Sequence, residues 1–239
     1  MRPAFYALRE GGWRDYVTLL HAPYTAWHLA YVVVGGCLVA DVPWGRLGLT
    51  ALAFFLAMGI GAHALDELAG RPLRTSIPSR VLVALAVASV AVACAIGIAV
   101  ALSFTLWIVP LVAVGAFLVP AYNLELFGGR FHSDLWFGLA WGAFPVVTAY
   151  VACSGTLRLA AVLAAAWATA LSLAQRRLST PVRRARRDVA AVAGELELLD
   201  GSREQLTRES LVAAPEGALR MLALSTVLVA AALAAVHAV

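Results

Sequence analysis

His63, Asp66 and Glu67 stand at the end of the apolar run 47–65, directly before Gly70-Arg71-Pro72. Ionisable groups at the edge of a bilayer are costly unless they face a polar cavity, so such a cluster marks a candidate site. The spacing i, i+3, i+4 places all three side chains on one helical face. There they could converge on a cation: carboxylates hold Mg²⁺ through a few direct bonds supplemented by waters and substrate phosphates. Arg71, Arg74 and Arg80 follow at once, and guanidinium groups grip a diphosphate in bidentate fashion. A local alternative stands beside this one, in which Asp66 or Glu67 pairs with Arg71 or Arg74 to close the helix end.

A second cluster comprises Tyr122, Asn123, Glu125, Arg130, His132 and Asp134. Asp134 directly precedes an apolar run, where a carboxylate favours the positive end of the helix dipole. Tyr122 has an alternative reading as an interfacial aromatic anchor. Glu125 and His132 have no comparable structural role. A third cluster, Gln175-Arg176-Arg177, ends another apolar run; its arginines either face the same cavity mouth or follow the excess of positive charge on cytoplasmic loops. No phosphate-binding glycine loop, zinc-ligand spacing or nucleophile elbow is present, which sets aside soluble-type hydrolase and nucleotide-binding readings.

The elements that must position these groups are apolar helices. Of 239 residues, 62% are hydrophobic and only 13% charged, well below the quarter or so typical of soluble domains. The pattern predicts one polytopic all-α membrane domain over 1–239, with about seven spans near 25–41, 46–66, 80–101, 104–122, 134–153, 157–174 and 217–238. The segment 1–23 lacks the apolar stretch and small-residue cleavage site of a secretory signal. Cys37, Cys94 and Cys153 lie inside apolar runs, an odd buried set that suits packing rather than a disulfide framework. All basic side chains are arginines, which fits the bias of a GC-rich genome. They cluster at helix ends beside a membrane, so nucleic acid is not expected as a partner.

The arginine distribution also predicts orientation. Only Arg46 and Arg158 fall on one side of the seven-span arrangement, so the N-terminus is expected to be cytoplasmic and the C-terminus on the far side of the cell membrane. Between the last two spans, Ser179-Thr180-Pro181 reads as a helix start. Val182, Ala185, Val189, Val192, Leu196 and Leu199 then form one apolar stripe, and Asp200-Gly201 supplies a stop. The segment 179–214 is thus expected to be an amphipathic cytoplasmic helix and loop, lying in the interface or covering the mouth of the bundle.

The order of these parts resembles the UbiA superfamily of intramembrane prenyltransferases. Residues 61–70 and 74–79 occupy the place of that family's first aspartate-rich motif and the loop after it. Tyr122 to Asp134, running into Gly138-Leu139-Ala140-Trp141-Gly142-Ala143-Phe144-Pro145, is similar to its tyrosine loop and glycine-rich fifth helix. The end of the sixth span takes the place of the second aspartate-rich motif. The resemblance implies a helical bundle around a central cavity, with Mg²⁺ holding an isoprenyl diphosphate whose chain passes to a lipophilic acceptor. Carried over by residue, Asp66, Glu67 and His63 would hold the metal. Arg71, Arg74, Asn123, Arg130, Arg176 and Arg177 would bind substrate, and Asp66, Tyr122 and Glu125 would take part in catalysis.

The family's expected residues are only partly present. Ala62-His63 stand where an Asn-Asp pair is expected, Gly70 replaces an aspartate, and Gln175, Arg176 and Arg177 replace the second carboxylate motif, with Asp188 the only nearby acid. An unneutralised diphosphate in a low-dielectric mouth costs several kcal/mol. Arg176, Arg177 and Arg183 can supply that charge, so binding survives these replacements better than catalysis does. Two functions follow: a prenyltransferase, or a non-catalytic protein of the same fold that holds an isoprenoid lipid or supports a membrane protein partner.

Overall fold

The computed structural model describes residues 2–238. Helix accounts for 70% of it, and the only strands among the described residues form one short hairpin, so the chain is all-α in substance. Eight helices follow in order: α1 (Trp13–Leu19), α2 (Ala22–Gly36), α3 (Trp44–Leu68), α4 (Ser79–Ser103), α5 (Ile108–Asn123), α6 (Asp134–Ser154), α7 (Leu159–Arg187) and α8 (Arg208–Val236). Strands β1 (Glu195–Glu197) and β2 (Arg203–Gln205) pair antiparallel between α7 and α8.

Each of the seven predicted apolar runs is a helix. Five of them, α3, α4, α6, α7 and α8, are long and apolar enough to cross a membrane. Helices α2 and α5 have 15 and 16 residues. At 1.5 Å per residue they reach only about 22–24 Å, short of a hydrocarbon core roughly 30 Å thick. Apolar side chains such as Val87 on α4, Leu163 on α7 and Leu228 on α8 point outward, where a soluble protein would place polar groups.

The bundle interior is built on close backbone approach. A Cβ on Gly142 of α6 would lie 2.6 Å from the Ala168 carbonyl oxygen of α7, so only glycine permits this crossing. Gly35 of α2 likewise faces the Val146 backbone of α6. Beside them Trp27 and Tyr31 are fully buried with Val146, Ala168 and Leu219. The Trp27 indole N–H donates to the Tyr31 hydroxyl (2.7 Å), and the Ser172 hydroxyl reaches the same oxygen at 3.3 Å. Thus α2, α6, α7 and α8 share one core, while Met58, Leu118, Val119 and Trp141 join α3, α5 and α6 in another.

Two helices depart from α geometry. The Phe55–Ala62 stretch of α3 and the Gly138–Ala143 stretch of α6 are π-helical. Such widened turns are frequent at functional sites, and both supply walls of the cavity described below.

The predicted helix start at Ser179 is corrected. Helix α7 runs through Pro181 to Arg187 without interruption. Proline removes its own N–H, which frees the Arg177 carbonyl, but Arg177 is exposed and that carbonyl can be hydrated. The Ser179 and Thr180 hydroxyls donate backward to the Arg176 carbonyl (3.2 and 2.8 Å) instead of capping a new helix. The stripe Val189–Leu199 is not helical either. Gly194 has φ 140°, and the alternation Glu195-Leu196-Glu197 pairs as β1. Asp200-Gly201 forms the hairpin tip, where the Asp200 carboxylate accepts from the Ser202 N–H and hydroxyl (2.9 and 2.7 Å).

The helices alternate in direction, which gives the bundle two unlike ends. At one end the Arg46 guanidinium donates to the Cys153 carbonyl (3.1 Å) and the His237 ring meets the Cys37 carbonyl (3.0 Å). The other end gathers the N-terminal segment, the 69–78 loop, the 124–133 loop, the C-terminal turns of α7 and the hairpin.

Candidate functional site

A cavity of about 380 Å³ opens at the arginine-rich end. From α3, Met58 and Ala62 come off the π-helical stretch and His63 and Asp66 off the turn beyond it. Tyr122 and Asn123 end α5, and Phe137 and Trp141 come from α6. Arg176, Ser179, Arg183 and Arg187 lie along α7 at three- and four-residue steps, which align on one face, and Gln175 joins them one turn before Ser179. His21, Tyr24 and His28 enter from the start of α2, and Pro3–Tyr6 covers the top.

The structure brings together six of the residues given site roles by the resemblance, His63, Asp66, Tyr122, Asn123, Glu125 and Arg176, with His132, Gln175 and Arg183 from the same sequence clusters. Glu67 does not join them. It is fully buried beneath the 69–78 loop, where its carboxylate accepts from the Leu73 N–H (2.9 Å), the Thr75 N–H (2.8 Å) and the Thr75 hydroxyl (2.9 Å). One residue's rotation about the helix separates it from Asp66, and the loop's unsatisfied donors determine which way it faces. Among the described residues neither acid pairs with Arg71 or Arg74, so the local ion-pair alternative is also replaced.

Arg71 bolts its own loop, donating to the Ile77 carbonyl (2.5 Å) and the Ser79 hydroxyl (2.9 Å). Arg74 lies outside the cavity, in a separate groove. Arg130 and Arg177 are exposed and line neither space. Ser133, not Asp134, caps α6 with its side chain. The same 69–78 loop is pinned from the N-terminal side by Asp15 of α1, whose carboxylate accepts from the Ser76 N–H (2.9 Å) and hydroxyl (2.5 Å). Burial pushes the Asp15 carboxyl up, but its bonds from Ser76 and the Gly11 N–H outweigh that and hold it below its ordinary range.

Charge is unevenly satisfied around the cavity. Arg176 is fully engaged: its Nε donates to Asp134 (2.5 Å), its Nη1 to the Tyr122 hydroxyl (2.6 Å), and it lies 5.4 Å from the Phe137 ring centroid. His132 stacks on Tyr122 at 4.5 Å, with Glu125 3.8 Å from its Nδ1. Arg186 is paired with Glu216. By contrast Arg183 and Arg187 form no ion pair among the described residues; they reach only the Thr180 hydroxyl (3.2 Å) and the Pro3 carbonyl (3.4 Å). Beside them His21 and His63 stack face to face at 3.9 Å. Burial first, then His63 and the Arg187 and Arg183 charges, hold His21 neutral, well below the ordinary histidine range.

This donor set does not fit Mg²⁺. With Glu67 turned away, the carboxylates left on the wall are Asp66 and the exposed Glu125, beside arginines and buried imidazoles, and no group of three His, Cys, Asp or Glu converges among the described residues. A hard cation needs several oxygen ligands. The arrangement suits an anion at the mouth instead.

His21, Tyr24, His28 and Arg187 escaped the sequence reading. The seven-residue interval between His21 and His28 was a usable signal, since two turns return to the same face; so was the spacing i, i+7, i+11 of Arg176, Arg183 and Arg187. The fold and site together define a helical membrane protein with a polar, arginine-mouthed cavity. The chain matches no protein-family model, no curated protein and no solved structure.

Proposed function

We propose that the cavity binds an isoprenyl diphosphate, and that the protein is a UbiA-like intramembrane prenyltransferase acting toward a lipophilic acceptor. The observation that carries this reading is the pair of guanidinium groups that form no ion pair among the described residues, Arg183 and Arg187, over a cavity walled by Tyr24, Met58, Phe137 and Trp141. A phosphate-type head would satisfy the two cations by charge-assisted bonds, and an apolar chain would occupy the aromatic depth.

In this mechanism the arginines stabilise the leaving diphosphate as the allylic C–O bond breaks and its electron pair passes to oxygen. The resulting carbocation lies against the Tyr122, Phe137 and Trp141 ring faces, which attract cations. The acceptor's nucleophilic atom forms the new bond to carbon, and Asp66, a carboxylate on the wall with no ion pair among the described residues, takes the displaced proton. Charge neutralisation is assigned to arginine throughout.

The diversion of Glu67 favours a second reading, in which the protein holds the isoprenoid lipid without turning it over or supports a partner in the membrane. Binding and diphosphate release by the purified chain with radiolabelled geranylgeranyl diphosphate separate the two. The transferase reading expects release with an acceptor present, whereas binding without release across chain lengths and acceptors supports the second. Arg183→Gln and Arg187→Gln should each weaken binding roughly tenfold, the loss of a charge-assisted bond, and binding should persist when divalent cations are chelated. Affinity unchanged in both variants would overturn the site for either reading.

A further inference from the structure

Outside the cavity, a groove of about 620 Å³ runs between the 69–78 loop and the end of α7. Arg71, Arg74, Arg183, Arg184 and Arg187 line it against a single acid, Asp188, which forms no ion pair among the described residues. Thr180, Arg183, Arg184 and Arg187 follow the spacing i, i+3, i+4, i+7 and share one face of α7. Like charges at these intervals repel one another. Asp188 lines the groove with them and Asp66 faces Arg183 and Arg187 from the cavity, but neither forms an ion pair among the described residues, although Arg176 and Arg186 on the same helix each pair with a carboxylate.

The opposite wall is rigid rather than a loose surface loop. Arg71 and Arg74 both hold left-handed backbone conformations, φ 56° and 58°. These cost energy for residues with a Cβ and persist where the surroundings impose them. Here the surroundings are explicit: Glu67 ties down the backbone of Leu73 and Thr75 on either side of Arg74, and Arg71 is bolted to Ile77 and Ser79. The buried carboxylate that left the cavity thus positions an arginine over the groove.

We propose that this groove is a second anion site, for a phosphate-type group, joined to the cavity through the shared Arg183 and Arg187. Its occupant is either a free phosphate or diphosphate, or the headgroup of an anionic lipid; the recognising chemistry is the same. The proposal goes beyond the cavity reading and does not need a prenyl chain.

The test uses the full chain in phosphatidylcholine nanodiscs, with inorganic diphosphate as the probe in titration calorimetry. Binding should be measurable and should weaken roughly tenfold or more in the double variant Arg74→Gln/Arg184→Gln, which removes two charge-assisted contacts. Both residues are exposed and neither lines the cavity, so the melting temperature should not fall. In nanodiscs containing phosphatidylglycerol, loss of diphosphate binding together with lipid retained in native mass spectra by the parent but not the variant assigns the groove to a lipid headgroup. Undiminished diphosphate binding there assigns it to the free anion. The proposal is overturned if the double variant binds diphosphate as tightly as the parent, or if neither diphosphate nor phosphatidylglycerol is held. Geranylgeranyl diphosphate binding no tighter than inorganic diphosphate would sink the cavity reading alone and leave the groove standing.

Discussion

Glu67 and Asp66 are adjacent carboxylates with different work. Asp66 faces the cavity and its carboxylate accepts no hydrogen bond among the described residues, whereas the Glu67 carboxylate satisfies three buried donors of the 69–78 loop. Removing an acceptor from buried donors costs about 1–3 kcal/mol for each group stranded. Glu67→Ala is therefore expected to destabilise the protein by roughly 2–5 kcal/mol, with Glu67→Gln intermediate because one carbonyl oxygen remains. Asp66→Asn should change stability by less than about 1 kcal/mol. Denaturation midpoints of the three variants in one detergent check this contrast, and equal losses at positions 66 and 67 would refute it.

At the scale of elements, helix–helix contact depends on where side chains are missing. The α6–α7 crossing leaves no space at Gly142: an added methyl would lie 2.6 Å from the Ala168 carbonyl oxygen and 2.8 Å from the Ser172 hydroxyl. Gly142→Ala should cost about 1–3 kcal/mol through forced separation of the helices. Gly217→Ala on α8 meets nothing within 4 Å and should be neutral or stabilising by up to about 1 kcal/mol, because alanine is the better helix former. Parallel thermal denaturation of the two variants tests the crossing, and a Gly142 variant as stable as the Gly217 variant would show that α6 and α7 are not held this closely. The π-helical stretches act at the same scale. They turn Met58 and Trp141 toward one another across the cavity wall, and an apolar sequence such as Phe55–Ala62 carries no mark of a widened turn.

Across the whole molecule, alternation of seven helices places the N-terminal segment and the α7–α8 connection at one end and His237 at the other. Apart from Arg46 and Arg158, the arginines lie toward the first end, so that end is expected in the cytoplasm. A fluorescent-protein fusion at the N-terminus should glow, and an alkaline phosphatase fusion at the C-terminus should be active. The reverse pattern, or both termini on one side, would refute either the orientation or the number of crossings, and the short α2 and α5 are the helices such a result would question.

By itself the sequence determined the helical membrane class, the seven apolar runs, the asymmetry of charge, and the neighbourhood of His63, Asp66, Tyr122 and Arg176. Hydropathy and charge follow composition over whole segments, so they survive without knowledge of contacts. The facing of individual side chains does not. Glu67 turned from the cavity because distant loop donors needed an acceptor. Pro181 failed to end α7 because its freed carbonyl lies in an exposed turn. Arg183 and Arg187 emerged as the cavity arginines with no ion pair among the described residues only after folding brought Asp134 to Arg176 and Glu216 to Arg186. Pairing between residues thirty or more positions apart is a property of the tertiary structure, and it decided which charges remain for a ligand.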